Sequence, residues 1–107
     1  MKYTVTYNDG EIKQTGEFEA PDRLPQAGDV YEFVRSVHTL ANIQYKVGDT
    51  LEVLGRTTVA PHHRTSSLGN LYVRCHYMTS VWTNLEASIA NGWLKLIEAD
   101  GTTVKQG

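Results

Sequence analysis

The sequence predicts an all-β fold class: a small, partly open β-barrel that begins with a β-hairpin and carries one short helix. Short runs of β-branched and aromatic residues recur along the 107 residues, turn-forming pairs with glycine separate them, and one helix-capping pattern occurs late in the chain. About five to seven short strands in this arrangement are typical of a barrel or a sandwich. Because the length is close to that of a common domain, we expect residues 1–107 to form a single domain.

The N-terminal hairpin is predicted from residue alternation and turn chemistry. Residues 3–7 alternate aromatic and β-branched side chains, and residues 8–10 (Asn-Asp-Gly) suit a tight turn. Residues 11–18 would then return antiparallel to the first strand. Two prolines make residues 21–28 a connector. Residues 29–37 form the next predicted strand, and apolar residues on both of its faces place it near the centre of a sheet.

The middle of the chain predicts a loop, a turn and a strand. Residues 38–44 form a loop or a single helical turn. A Gly-Asp turn follows and leads into a predicted strand over residues 50–54. Leu51 and Val53 point to one face of that strand, because successive strand residues face opposite sides.

The segment from Val47 to Val53 resembles a known structural family. A Gly-Asp turn directly after an apolar residue, followed by Leu-Glu-Val, is similar to the turn and strand that open SH3-like small barrels, including KOW-type modules. The resemblance covers these residues only. It implies an SH3-like barrel as the architecture, with an OB-like barrel as the alternative.

Residues 56–70 predict a long polar loop, and residues 71–77 predict the strand after it. Loop-forming residues dominate the first of these segments, and long loops inside small domains are often functional. The second segment alternates again, with its apolar residues expected to face inward. Three residues of this strand are expected on its outward face: Tyr72, Arg74 and His76.

A short helix and two late strands complete the predicted fold. Thr83 and Glu86 have the spacing of a capping box, which would open a helix over residues 84–90. The Asn-Gly pair that follows would close this helix. The tryptophan just before the helix is expected in the core. Residues 93–97 form the next predicted strand, and residues 102–105 form the final one after a turn.

Charge and composition bear on the compartment and the partner. The formal net charge is −2, but the segment between Glu52 and Glu86 holds three arginines and three histidines and no acidic residue. Such asymmetry indicates an anionic partner. No apolar run reaches the roughly 18–20 residues that cross a bilayer, and the N-terminus lacks a signal segment. The lone Cys75 suits a reducing compartment, so we expect a cytoplasmic protein.

No motif for catalysis or metal binding is complete in the sequence. Two pairs combine potential metal ligands: His62-His63 and Cys75-His76. Neighbouring strand residues point to opposite faces, so we expect no metal site and no cofactor. Residues 63–65 have the His-x-Thr form of two-histidine phosphodiesterases, which require a second such motif. A nucleophile elbow and a phosphate-binding loop are also missing, so we predict a protein that is not an enzyme.

Aromatic and basic residues predict a binding surface. The outward residues of strand 71–77 would form one mixed face with Trp93 and Lys95 if the two strands were neighbours. Such a face stacks on bases, at about 1–3 kcal/mol per base, and equally suits a protein interface. The alternative is that Trp93 packs beneath the N-terminal hairpin. The candidate binding residues are Arg56, His62, His63, Arg64, Tyr72, Arg74, His76, Trp93 and Lys95.

The sequence favours a non-enzymatic protein-interaction module that binds through the 56–70 loop and the adjoining aromatic–basic face. A compact, stand-alone barrel without catalytic motifs resembles the accessory proteins with which bacteriophages and bacteria modulate host or cellular machinery. Two other functions stay open: a nucleic-acid-binding module that uses the same face, and a small anionic-ligand-binding or phosphodiesterase-like protein that uses His63 and Arg64. We expect no membrane partner. The sequence leaves open whether the chain is a monomer or a homodimer paired through an exposed edge strand.

Overall fold

The computed structural model describes residues 1–38, 43–76, 78–99 and 102–103. In these ranges the chain folds mainly into antiparallel strands and adds one short α-helix. The strands are β1 (Lys2–Asn8), β2 (Lys13–Glu19), β3 (Val30–Phe33), β4 (Val37–His38), β5 (Gln44–Tyr45), β6 (Thr50–Thr57), β7 (Arg64–Ser66), β8 (Asn70–Cys75), β9 (Met78–Trp82), β10 (Leu94–Ala99) and β11 (Thr102–Thr103), and the helix is α1 (Leu85–Ala90).

A three-stranded sheet contains the N-terminal hairpin. Its strand order is β2-β1-β7, and β1 pairs with β2 along its full length. The turn between them is held by Asp9, whose Oδ1 accepts hydrogen bonds from the N–H groups of Glu11 and Ile12. Gly10 has a φ of 94°, a conformation that glycine adopts without steric strain. The predicted hairpin is therefore confirmed.

A six-stranded sheet, in the order β11-β10-β3-β6-β8-β9, carries the hydrophobic core on one face. Alternation along β8 and in the first half of β6, at Leu51 and Val53, places every second side chain in that core, as the sequence predicts; the register of β6 shifts after Val53. The two-stranded hairpin of β4 and β5 lies beside it and contributes Tyr45 to the core. The buried core side chains of the strands and of α1 include Tyr31, Phe33, Leu51, Val53, Leu71, Val73 and Leu85.

The segment 56–70 is not the long loop that the sequence predicts. β6 continues to Thr57, a 3₁₀ turn spans Pro61–His63, and β7 then pairs antiparallel with β1. In this pairing Arg64 lies opposite Tyr7. The prediction was wrong because polar residues that favour loops in isolation form strand hydrogen bonds when the edge of another strand is available to them.

The helix α1 begins where the sequence predicts, but its N-terminus is capped by a distant residue. Asn84 occupies the N-cap position without a side-chain hydrogen bond to the helix backbone, and the Glu86 side chain pairs with Arg56. The Tyr3 hydroxyl instead accepts a hydrogen bond from the N–H of Ala87 at 3.1 Å and donates one to Asn84 Oδ1. The predicted capping box is therefore not formed.

The C-terminus of α1 has the hydrogen bonds of a Schellman motif. The N–H of Gly92 donates to the carbonyl of Ile89 at 2.9 Å, and the N–H of Trp93 donates to the carbonyl of Ser88 at 3.0 Å. Gly92 has a φ of 78°, where any residue with a Cβ is strained. The predicted end of the helix at the Asn-Gly pair is confirmed.

Two strands differ from the prediction. The strand predicted over residues 29–37 is divided, because β3 ends at Phe33 and the chain bends at Val34 and Arg35 before β4. β9 was not predicted from the sequence, although its five residues pair with β8 without a register shift. Because part of β9 is polar, its sequence does not predict a strand. Pairing with β8 holds the segment in the extended conformation.

The predicted fold class is confirmed in the described part of the chain, which is mainly β with an N-terminal hairpin and one short helix. The three sheets do not close into a barrel. Trp82 packs against the core, as expected. Parts of four predictions lie outside the described residues: the loop at 39–42, the last residue of the strand at 71–77, the turn at 100–101 and the strand end at 104–105.

Within the described ranges, no helix is both long enough and apolar enough to cross a bilayer.

Candidate ligand-binding cleft

The aromatic–basic face that the sequence predicts is not formed. It requires β8 and β10 to be neighbours, but β3 and β6 lie between them in the six-stranded sheet. Tyr72 is exposed on the outer face of that sheet, the side turned away from the core, whereas Trp93 packs against the core. Alternation along a strand predicts which way a side chain points but carries no information about which strands pair.

Two of the predicted binding cations and one predicted binding histidine lie beside carboxylates. The shortest nitrogen–oxygen distances are 3.4 Å for Arg74–Glu52, 3.8 Å for Lys95–Glu32 and 3.2 Å for His76–Asp49. The first two pairs join neighbouring strands across the outer face. The N–H of Lys46 and the His76 imidazole lower the pKa of Asp49, so this acid stays charged beside the histidine. These pairs remove the excess positive charge that an anionic partner would need.

Arg56 stabilises the interior of the fold. Its Nη1 donates to Oε1 of Glu86 at 3.1 Å and to the carbonyl of Gly69 at 3.0 Å. Glu86 is fully buried, and its Oε2 has no hydrogen-bond partner among the described residues. Burial raises the pKa of Glu86, and the Arg56 guanidinium only partly opposes that effect. Arg56 therefore connects β6 to α1, and its charge is already compensated.

A cleft of 940 Å³ separates the three-stranded sheet from the β9 side of the six-stranded sheet. Ligand pockets in proteins usually measure about 300–1,000 Å³. One wall is the face of β1, β2 and β7 that carries Tyr7, Phe18 and Arg64. The other wall is formed by β9, the β4–β5 hairpin, α1 and Trp93. We refer to this space as the cleft.

Aromatic side chains form part of the inner surface of the cleft. Tyr45 stacks on Phe33 with ring centroids 4.8 Å apart, and Trp82 meets these rings in tilted contacts at 5.5 and 6.3 Å. Trp93 lines the same space and packs against the core. Phe18 faces them from β2 and is 36% exposed, which leaves part of its ring free to contact a ligand. Mutual packing holds most of these rings in place before any ligand arrives.

A glycine allows the Phe18 ring to lie across its own strand. A Cβ on Gly16 would stand 3.0 Å from Phe18 Cε2, closer than side chains normally approach. Gly16 and Phe18 both line the cleft. The wall of the cleft at β2 therefore depends on a position without a side chain.

The cleft lining is cationic and contains no acidic residue. Its ionisable nitrogen-bearing residues are Arg64, His38 and His62. Among the described residues, no carboxylate pairs with the Arg64 guanidinium. Strand pairing with β1 and a hydrogen bond from Asn70 Nδ2 to the Arg64 carbonyl at 3.1 Å hold its backbone in place. Arg64 is therefore a half-buried residue of the cleft lining whose backbone is held in place.

A second guanidinium lies near the cleft on the side of β10. The Cζ atom of Arg35 stands 4.7 Å from the centroid of the Trp93 ring, which is the geometry of a cation–π interaction. Because Trp93 lines the cleft, this cation adds to the positive potential on that wall. Arg35 is not among the binding residues predicted from the sequence.

The two adjacent histidines of the 3₁₀ turn take different positions. His62 and His63 have φ values of 54° and 57°, a left-handed conformation that is uncommon for residues with a side chain and recurs at functional sites. His62 lines the cleft, whereas His63 does not. His63 and Arg64 therefore do not face one space, as a shared anionic site would require.

Cys75 is a core residue. It is buried, and its thiol donates to the carbonyl of Thr50 at 3.0 Å. Burial raises the pKa of the thiol to about 11, so it stays protonated near neutral pH. Across the described ranges, no group of three or more histidine, cysteine, aspartate or glutamate side chains could hold a metal ion.

The structure brings a minority of the predicted binding residues together. Three of them line the cleft: His62, Arg64 and Trp93. Four aromatic residues that also line the cleft were not predicted as binding residues: Tyr7, Phe18, Tyr45 and Trp82. One signal for Phe18 is present in the sequence, because a phenylalanine in the otherwise polar strand Lys-Gln-Thr-Gly-Glu-Phe-Glu has no core to face within its own hairpin.

No protein-family model, curated protein or solved structure matches this chain. The SH3-like resemblance of residues 47–53 therefore stays a prediction. The function is inferred from the geometry and chemistry of the cleft.

Proposed function

We propose that this protein is a non-enzymatic protein-interaction module whose cleft receives an apolar or aromatic side chain of a partner protein. The observation that carries the proposal is a cleft with a packed aromatic surface and a cationic lining without an acid. Pockets of this kind hold the anchor residues of protein interfaces. The cleft replaces the outer aromatic–basic face as the proposed binding site, and the 56–70 segment contributes to it through His62 and Arg64.

Arg64 determines the second feature expected of the partner. Its guanidinium has no carboxylate partner among the described residues, and its backbone belongs to a paired strand. A carboxylate of the partner would form a charge-assisted hydrogen bond with it, which is stronger than a bond between neutral groups. We therefore expect an acidic residue close to the apolar residue that enters the cleft.

The charge distribution favours a protein over a nucleic acid. A nucleic acid brings a row of phosphates and needs a matching row of cations. Arg56, Arg74 and Lys95 are neutralised by nearby acids, which leaves Arg64 and Arg35 as the arginines at the cleft. Two guanidinium groups suit one or two carboxylates better than a phosphate backbone. Base stacking on the same aromatic surface is the second candidate function.

A small anionic ligand is the third candidate. It would bind at Arg64, but His63 does not line the cleft with that arginine, which weakens a phosphodiesterase-like role. The proposal places the protein in the cytoplasm, where its single, buried cysteine would stay reduced. Under this proposal the protein is an accessory protein of a bacteriophage or a bacterium, because a small β domain without catalytic motifs resembles such proteins.

Titration with synthetic peptides tests the proposed function. The peptides share a central Phe-Val pair in a threonine-rich sequence and differ in whether glutamate, serine or lysine stands two residues from the phenylalanine. We expect the glutamate peptide to bind most tightly and to shift the NMR signals of Phe18, Trp82 and Trp93. Failure of every peptide to bind would contradict the proposal. Binding of a mixed oligonucleotide at the same residues, lost steeply as salt rises, would favour the nucleic-acid function instead.

Two matched pairs of variants locate the binding site. Arg64→Gln should weaken binding of the glutamate peptide about tenfold, whereas Arg74→Gln should leave it unchanged because Arg74 is paired with Glu52 on the outer face. Phe18→Ala should weaken binding, whereas Ile12→Ala, an exposed apolar residue at the tip of the same hairpin, should not. Equal effects within either pair would place the binding site outside the cleft.

A further inference from the structure

β9 is an edge strand without the usual protection. In the described residues it pairs on one side only, with β8. Its sequence, Met-Thr-Ser-Val-Trp, has no charge, proline or glycine, and its pairing has no bulge. Edge strands usually carry such features, because their unpaired N–H and C=O groups recruit other chains. The edge strand β2 does carry them: Lys13, Gly16, Glu17 and Glu19.

The free edge of β9 opens into the cleft. Ser80, Val81 and Trp82 follow one another, and all three line the cleft. Successive strand residues point to opposite faces, so three in a row reach one cavity only when the strand presents its main chain to it. Alternate residues of β9 direct their N–H and C=O groups away from β8. The cleft therefore offers main-chain donors and acceptors as well as aromatic rings.

A second, smaller depression lies at the same strand on the outer face. It has a volume of 390 Å³ and is lined by apolar side chains that include Leu54, Val59, Tyr72 and Val81. Val59 is 58% exposed and Tyr72 is 40% exposed, so this surface is accessible. Val81 lines both this depression and the cleft, which places β9 between them.

We propose that β9 accepts an extended segment of the partner protein as an additional strand of the six-stranded sheet. This inference rests on the proposed function, in which the cleft receives a side chain of the partner. Main-chain hydrogen bonds to β9 contribute the affinity, and the two cavities select the side chains. Because neighbouring side chains of the added strand point to opposite faces, one apolar residue enters the cleft and the next covers the outer depression.

Charge complementarity adds an acidic residue to this pattern. A residue two positions from the one in the cleft returns to the same face of the sheet. A carboxylate there would lie on the side of Arg64, the lining arginine without a described carboxylate partner. The partner segment is therefore an extended chain with two adjacent apolar residues and an acid two residues from the one in the cleft.

The same argument favours a foreign segment over a second copy of this chain. If β9 paired with β9 of another copy, the strand that entered the cleft would be Met-Thr-Ser-Val-Trp, which has no carboxylate for Arg64. A two-fold pairing would also bring two cationic clefts into one continuous sheet, where like charges repel. An acidic partner segment avoids both problems.

Hydrogen exchange and peptide methylation test the added strand. The glutamate peptide should slow amide exchange at alternate residues of β9, since these N–H groups gain acceptors. Peptide versions methylated at every second amide nitrogen should form two classes. One class should bind about tenfold more weakly, because the blocked N–H groups face β9, and the class blocked at the other amides should bind normally.

The outcomes separate this inference from the proposed function. If the peptide binds at Phe18 and Trp93 but protects no β9 amide, and both methylated classes bind equally, strand addition is overturned and cleft binding stands. If no peptide binds, both proposals fail. If the protein alone sediments as a dimer with protected β9 amides, β9 pairs with a second copy of this chain and the inference is overturned.

Discussion

The outer face of the six-stranded sheet and the cleft contain similar residues but differ in the partners of their charges. Each holds an arginine near aromatic rings: Arg74 is next to Tyr72 on β8, and Arg64 lines the same cleft as Trp82. On the outer face, Glu52 lies 3.4 Å from Arg74. In the cleft, no described carboxylate pairs with Arg64. The kinds of residue on a surface therefore identify a binding site less well than the partners of its charges.

Arg56 adds a third case to this comparison. Its partner Glu86 is fully buried, whereas the Glu52 partner of Arg74 is 40% exposed. An ion pair in water contributes little to stability, but a buried acid that loses its counter-charge is strongly unfavourable. Removal of each arginine should therefore affect a different property, and the following predictions run from the largest expected effect to the smallest.

Arg56→Met should give the largest loss of stability. It leaves Glu86 buried without a counter-charge, and one-sided removal of a buried pair costs about 3–5 kcal/mol. Because the Arg56 side chain is 31% exposed and water partly screens it, we expect a value at the lower end of this range. Chemical denaturation measures the free energy of unfolding. The double variant with Glu86→Gln should recover most of the loss, and failure to do so would contradict the assigned pairing.

Tyr3→Phe should give the next largest loss and should act on α1. The ring is retained, but the N–H of Ala87 and the Asn84 side chain lose their partner, at about 1–3 kcal/mol for a buried polar group left unsatisfied. Amide exchange in α1 should become faster. Tyr7→Phe is the matched control, because its hydroxyl donates to Asp9 at an exposed position and should change stability by less than about 0.5 kcal/mol. Equal losses for the two variants would argue against a capping role for Tyr3.

Glu86 should make the stability of the protein depend on pH. Burial raises its pKa above the ordinary value of 4.5, so the folded state holds the proton more tightly than the unfolded state. The stabilisation is then complete below 4.5 and is lost as the pH rises through the folded-state pKa. Denaturation midpoints measured upward from this pH should fall, and Glu86→Gln should flatten that fall.

Asp29 should also make the stability depend on pH, but at acidic pH and in the opposite direction from Glu86. Its burial favours the protonated form, but hydrogen bonds from Arg23 at 2.6 and 2.9 Å and from the N–H of Gln26 outweigh that effect and lower its pKa. Stability from this group is therefore present above the unfolded pKa and is lost as the pH falls through the folded one. Asp29→Asn should remove this acid-side loss, measured by denaturation, while leaving the fall above pH 4.5 in place.

Arg74→Ala should have the smallest effect on stability. Exposed ion pairs contribute about 0–1 kcal/mol, and the Arg74–Glu52 pair spans two strands on the outer face with both side chains accessible. Lys95→Ala, which removes the Lys95–Glu32 pair, should have a similarly small effect on stability. Chemical denaturation checks both variants. A loss as large as that of Arg56→Met would mean that the outer-face pairs are less solvated than the structure indicates.

The elements that the sequence predicts well depend on neighbouring residues. The hairpin follows from a turn that Asp9 and Gly10 stabilise within a few residues, and the end of α1 follows from Gly92. The core face of β6 follows from alternation, which brings Leu51 and Val53 to zero exposure. In each case the cause of the conformation lies within a few positions of the residue concerned.

The elements that the sequence misses depend on residues far along the chain. The hydroxyl that caps α1 comes from Tyr3, 84 positions before the amide it binds. β7 is a strand because β1 offers it an edge, and the cleft forms because the sheet that contains both stands beside β9. The same dependence explains why Trp93 and Lys95 do not join Tyr72 in one face, since their strands are not neighbours.

Local side-chain chemistry was thus sufficient to specify the class of fold, the hairpin, the alternation of the central strands and the end of the helix. It was not sufficient to specify strand order, the pairing of each charge or the existence of the cleft. The physical reason is that turns and alternation depend on interactions between near neighbours, whereas strand order and charge pairing depend on which distant surfaces meet when the core is buried. The sequence does not distinguish Arg64 from Arg74. The position of their strands in the folded chain leaves Arg64 accessible to a partner and places Arg74 beside Glu52, which compensates its charge.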